Sequence, residues 1–155
     1  MKSLLPHRVL QIAFVVDDVE KHLEMYARLF GIETPGTNIT GAHEETQSLY
    51  RGEPTDGRAK VGYIPLENIL LEFIEPIEGP SVWQDCLEQN GNGVHHIAFI
   101  IGGIEHVIRE LEDFGLPLLQ NGNFPALADA PGGRYAFLQG LDKLGFDVEL
   151  LEFDS

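Results

Sequence analysis

The strongest constraint on this chain is that one strand-like phrase occurs twice. Sliding the 155-residue sequence along itself so that Val9 falls on Val94 lays VLQIAFVV (9–16) over VHHIAFII (94–101). Ile12 then meets Ile97, Ala13 meets Ala98, and Phe14 meets Phe99. The echo runs on into a helix. Val19, Leu23, Tyr26, Ala27 and Phe30 recur at helical spacing, with Asp17 placed to cap, Glu20 three residues on and Gly31 to stop. In the second copy Ile104, Val107, Ile108 and Leu111 repeat the stripe and Gly115 ends it.

A second echo closes each half. NILLEFIEP (68–76) matches GFDVELLEF (145–153), superposing Leu71, Glu72 and Phe73 on Val148, Glu149 and Leu150. Between the markers AKVGYIPL (59–66) and RYAFLQ (134–139) read as further strands, bounded by Asp56-Gly57 and Pro131-Gly132-Gly133. The sequence therefore predicts an α+β chain of two tandem βαβββ modules, residues 7–78 and 94–153. Residues 79–93 join them, as a short helix begun by Pro80-Ser81 with Trp83 and Leu87 on one face, then a Gly/Asn linker. Residues 33–58 are polar and carry no readable period; a loop excursion and a mobile lid are both open readings.

Two similar halves meeting about an approximate two-fold axis enclose a shared, incompletely closed barrel-like cleft, and equivalent positions converge there. Alternate strand residues share a face, so Val9, Gln11, Ala13 and Val15 go together, as do Val94, His96, Ala98 and Ile100. His95 is then expected to point away, with Leu10. The closing strands add Glu72 and Glu149, each flanked by apolar residues suited to burial. Two acids aimed into one hollow repel, and hold a proton unless a cation joins them. Gln11, Glu72, His96 and Glu149 thus form two repeat-related pairs offering three oxygens and one imidazole nitrogen, a metal-binding set. The blander alternatives are a core histidine bonded to backbone, acids on a solvated sheet face, and a strand glutamine that satisfies its neighbours.

The stretches HRVLQIAFVVDDVEKHLEMYARLFG (7–31), GNGVHHIAFIIGGIEHVIRELEDFG (91–115) and GFDVELLEF (145–153) resemble the vicinal oxygen chelate superfamily, which includes glyoxalase I, methylmalonyl-CoA epimerase and extradiol dioxygenases. The resemblance spans residues 7 to 153 and implies a glyoxalase/dioxygenase-type fold with metal positions on Gln11, Glu72, His96 and Glu149. Ring-cleaving dioxygenases place a histidine where this chain has Gln11, which disfavours iron-dependent ring cleavage. Some glyoxalase I branches carry the same Gln, Glu, His, Glu set. The epimerases share the third and fourth ligands but commonly have histidine first, and carry an acid on a middle strand where AKVGYIPL has none. The resemblance implies a divalent ion (Zn, Ni, Co or Mn), Glu149 as the base that takes a proton α to a carbonyl, and a lyase, isomerase or epimerase acting on a small thioester or related substrate. It also permits a homodimer. A non-catalytic antibiotic-binding protein of the same fold is the alternative reading.

Composition narrows the partners. Ten Lys and Arg against 25 Asp and Glu leave a formal charge of −15, which repels nucleic acid and anionic membranes. No basic cluster marks a site for glutathione or coenzyme A. The apolar runs fall far short of the ~20 residues of a membrane helix, and the opening MKSLLPHRVL is broken too early for a signal segment, so a cytoplasmic protein is expected. Cys86, the only cysteine, reads as a small buried apolar residue. His22 and Tyr26 read as helix packing, PGGRYAFLQG as a hairpin turn, and Arg134 as a weak candidate for an anionic substrate.

Overall fold

A computed structural model describes residues 1–127 and 130–155. Its elements run β1 (Gln11–Val15), α1 (Val19–Phe30), β2 (Asn38–Ile39), α2 (His43–Thr46), β3 (Leu49–Tyr50), β4 (Glu53–Pro54), β5 (Arg58–Pro65), β6 (Leu70–Glu78), α3 (Val82–Asn90), β7 (Gly93–Ile100), α4 (Ile104–Phe114), β8 (Leu118–Phe124), β9 (Gly133–Leu138), α5 (Leu141–Leu144) and β10 (Asp147–Phe153). The strands make one curled sheet in the order β2-β5-β6-β1-β7-β10-β9-β8-β3-β4. The order is a palindrome of repeats. β1 and β7 pair antiparallel at the centre, and each is flanked by the closing strand of its own half, β6 or β10, in parallel. The α+β fold expected from the repeat, of the glyoxalase type that the resemblance implies, is the fold observed.

The two faces of the sheet are filled differently. On one side α1 packs Val19 and Leu23 over Ile64, Leu71 and Phe73, while α4 packs Ile104, Val107 and Leu111 over Phe99, Leu138, Val148 and Leu150. Each of these large aliphatic or aromatic side chains contributes roughly 1.5–3 kcal/mol on full burial. Gly62 of β5 belongs to this contact, since a Cβ there would lie 2.4 Å from Leu23 Cδ1. On the other, concave side α3 lays Val82, Trp83 and Cys86 against Ala13, Val15, Val61, Ile74 and Phe137. Strand alternation decides the split: Leu71 and Phe73 go to α1, Glu72 and Ile74 to the concavity.

Several local expectations shift by a residue or more. The cap of α1 is Asp18, whose carboxylate accepts from Lys21 N at 3.0 Å, rather than Asp17, which pairs with Asn92. Gly31 and Gly115 end α1 and α4 in left-handed conformation as expected. Residues 33–58 are an ordered excursion: β2 pairs with β5, and β3 crosses to the far edge to pair with β8, Leu49 opposite Asn121 and Tyr50 opposite Gln120. Strands of two residues carry no period, and the place of β3 rests on a partner strand in the other half of the chain. Val94 and Ile100 are exposed rather than turned into the cleft. No helix of the described residues is long and apolar enough to cross a membrane.

Asp18→Ala is expected to cost about 1 kcal/mol through the lost cap. Asp17→Ala, which removes only an exposed contact, is expected to stay within about 0.5 kcal/mol. Urea unfolding midpoints of the two variants check the assignment.

Candidate metal centre

The four central strands, β6, β1, β7 and β10, each contribute one polar side chain to a single point. In register, Ala13 lies between Glu72 and His96, and Ala98 lies between Gln11 and Glu149. The two alanines are fully buried and equivalent in the repeat, and their small side chains leave the floor on which the four longer ones lean together. Gln11 Nε2 lies 2.6 Å from Glu72 Oε2, 3.1 Å from Glu149 Oε2 and 3.4 Å from His96 Nε2. His96 Nε2 lies 3.1 Å from Glu149 Oε2 and 3.4 Å from Glu72 Oε2. Neighbouring donors around an ion bound at ~2.1 Å stand about 3 Å apart, so these separations suit a common divalent ion. A half-turn of the Gln11 amide puts its oxygen in place of its nitrogen.

Burial sets the electrostatics. The four residues are buried; Glu72 and Glu149 keep 8% and 7% exposure and His96 none. For His96, burial disfavours the charged ring, but the Glu149 and Glu72 carboxylates outweigh it and lift the imidazole to about 9. Burial pushes the Glu149 carboxyl up, against the pull of the His96 charge. Two acids and a histidine share one buried hollow.

The aromatic flanks also follow the repeat. Glu72 is opposite Tyr63 on β5, and Glu149 is opposite Phe137 on β9. The Glu72 charge, burial and the Glu149 charge all push the Tyr63 phenol up, so it stays protonated as a donor facing the acids. Phe137 packs its ring 4.8 Å from that of His96. Tyr63 was legible as the next inward residue after Ala59 and Val61, but an isolated tyrosine carries no chemistry without Glu72 beside it.

One sequence expectation fails here. His95 is buried next to His96 instead of facing the other way, because a β-bulge between Ala13 and Phe14 of β1 leaves His95 as the extra residue of β7. A bulge interrupts the alternation on which the expectation rested. His95 Nδ1 stands 2.8 Å from His96 Nδ1, and its Nε2 stands 3.3 Å from Asp147 Oδ2. Burial pushes the His95 imidazole down. Asp147 resists its own burial and is held low by His95 and by the backbone N–H groups of Gly140 and Leu141.

The remaining candidates resolve into structure. Arg134 binds Glu105 and Glu152, and Glu152 accepts from Ile104 N at 3.1 Å at the start of α4. Cys86 is buried and its thiol is pushed up by burial. Tyr26 packs on Phe14 and Phe73, while His22 Nδ1 meets Asp18 O. Among the described residues, no Lys or Arg forms an ion pair with the four converging residues.

Residues 10–137 match the profile of the Glyoxalase/Bleomycin resistance protein/Dioxygenase superfamily. The chain belongs to this superfamily. An uncharacterized protein of Bacillus subtilis (strain 168), YqjC, is 30% identical over 104 residues, 67% of this chain and 72% of its own. Among solved structures, a hypothetical protein from Bacillus halodurans C-125 superposes with a TM-score of 0.62 at 19% identity, over 96% of this chain and 95% of its own. Streptomyces coelicolor methylmalonyl-CoA epimerase, in complex with 2-nitronate-propionyl-CoA, superposes with a TM-score of 0.61 at 25% identity, over 99% of this chain and 100% of its own. In this superfamily member the buried Glu72, His96 and Glu149 cluster is compatible with a metal site.

The metal-free protein has a predictable pH response. With the folded-state value of His96 lifted from 6.5 to about 9, its stabilising contribution is complete below pH 6.5 and is lost as pH rises toward 9. Glu149, also pushed up, acts in the same direction. Urea midpoints of chelator-treated protein are expected to fall between pH 6.5 and 9, and His96→Gln is expected to flatten that fall.

Proposed function

We propose that this protein is a divalent-metal-dependent enzyme that moves a proton α to a carbonyl, acting as a lyase, isomerase or epimerase on a small thioester or related compound. One observation carries the reading: an amide, an imidazole and two carboxylates from four strands bring their tips within 2.6–3.4 Å in a buried hollow. Two buried carboxylates whose oxygens lie within 4.8 Å of each other call for a cation. Gln11, Glu72, His96 and Glu149 would hold it, and the set leaves a Zn, Ni, Co or Mn ion formally neutral. A bound divalent ion would supply positive charge against which a carbonyl or enolate oxygen becomes negative.

The protein's own groups account for the rest. Glu149 is the proposed base: it is a buried carboxylate among the converging donors, and burial raises its carboxyl in the metal-free protein, which favours taking up a proton. Gln11 steadies it at 3.1 Å. Tyr63 stands on the other side of the hollow as a protonated phenol and can donate to a substrate oxygen. Phe137 and Trp83, packed edge to face 5.9 Å apart, help keep water from the concave side. The likeness to an epimerase complexed with an acyl-CoA analogue supports a thioester. Inward positions on β5 are Ala59, Val61 and Tyr63, with no second carboxylate, which favours chemistry served by one base.

Purified protein is expected to hold about one divalent ion per chain by elemental analysis, and to exchange the α-proton of at least one thioester or hemithioacetal for deuterium in D₂O. A chain that carries no ion and exchanges nothing across such a panel refutes the reading. Glu149→Gln preserves size and the contact to Gln11, and is expected to lower turnover by about 10²- to 10⁴-fold with an unchanged circular dichroism spectrum. Undiminished turnover removes Glu149 from the base role.

A further inference from the structure

Behind His96, on the side away from the converging donors, two more buried side chains stand in line. Asp147 Oδ1 accepts from Gly140 N at 2.9 Å and Leu141 N at 3.2 Å, which anchors the carboxylate to the backbone at the start of α5. Its other oxygen faces His95 Nε2 at 3.3 Å, off the line of a straight hydrogen bond but well inside the reach of the charge. His95 Nδ1 then faces His96 Nδ1 at 2.8 Å, with the two rings edge to face. His95, His96 and Asp147 are all buried, so water does not substitute for these contacts.

The roles along this line follow from the Asp147 charge and from donor and acceptor counting. The carboxylate 3.3 Å away draws the His95 proton to the nitrogen that faces it, Nε2. A neutral imidazole has one N–H, which leaves His95 Nδ1 as an acceptor. The partner nitrogen, His96 Nδ1, must therefore be N–H. The remaining nitrogen, His96 Nε2, is the one that points at Gln11, Glu72 and Glu149. Swapping the His95 tautomer would set two N–H groups against each other or turn a lone pair toward the carboxylate.

We propose that Asp147 and His95 form a positioning relay that fixes His96 with its proton on Nδ1 and aims Nε2 at the ion. The proposal rests on the metal reading above and adds two residues to it, neither of which touches the ion. Such outer contacts typically tune metal affinity by 10- to 100-fold. The β-bulge is the device that makes the relay reachable: without the extra residue in β7, His95 would lie on the α4 side of the sheet, away from Asp147.

Two measurements test it. In ¹⁵N-labelled wild-type protein, with and without Co²⁺ or Zn²⁺, His95 is expected to carry its proton on Nε2 in both states. Competition against a chromophoric chelator is expected to show Co²⁺ binding weakened 10- to 100-fold in His95→Leu and by less in His95→Asn, whose amide oxygen can still accept from His96 Nδ1. Asp147→Asn, which keeps an oxygen for Gly140 and Leu141, is expected to weaken binding and let the His95 proton distribute over both nitrogens. Wild-type protein that binds Co²⁺ with His95 protonated on Nδ1, or a folded His95→Leu that binds as tightly as wild type, overturns the relay alone. Wild-type protein that takes up no ion overturns the metal reading and, with it, the role of the relay.

Discussion

The repulsion between two buried carboxylates is the interaction around which the centre of this sheet is organised. Glu72 and Glu149 come from opposite halves of the chain, yet both lean on the same imidazole and the same amide. In water such a pair would separate. Here they are held by strands whose opposite faces are committed to α1 and α4, with Leu71 and Phe73 on one side of Glu72 and Val148 and Leu150 on either side of Glu149. Moving either acid out of the hollow would turn two large apolar residues toward water, at roughly 1.5–3 kcal/mol each. Hydrophobic packing on one face thus enforces electrostatic strain on the other, and positive charge relieves it.

Much of this could be read from the chain because the repeat converts sequence into geometry. Matching Gln11 to His96 and Glu72 to Glu149 required no knowledge of loops, only the assumption that equivalent strands occupy equivalent places. The residues that escaped are those that break the rule. His95 was assigned to the wrong face because a bulge is a register event between two strands, and a strand read alone does not reveal it. Asp147 shares a face with Glu149 at a spacing of two, but its meaning depends on His95 having been turned inward. Residues 33–58 gave no period because β2, β3 and β4 are two residues each.

The surroundings of the centre separate structural from chemical polarity. Gln120 and Tyr135 are also inward-facing on their strands, but Gln120 accepts from Val82 N through its oxygen and donates its amide nitrogen to the Tyr135 hydroxyl, which also meets Ser48. That chain is closed and fixes α3 and the excursion to the second half. The Gln11, Glu72, His96, Glu149 group is not closed in the same way. Its members compete for one another.

The crossing of β3 from the first half to the edge of the second ties the two halves together. Two similar units separate only if each covers its own borders. Here the first unit supplies β3 and β4 to flank β8, and Tyr50 reaches Asp85 of α3. Cut apart, the second unit would lose part of the core it shares under α3 and present both β7 and β8 as bare edges, open to pairing with any other strand they met. By lending that border the first half makes the second depend on it, and the two copies of the repeat stand as one unit.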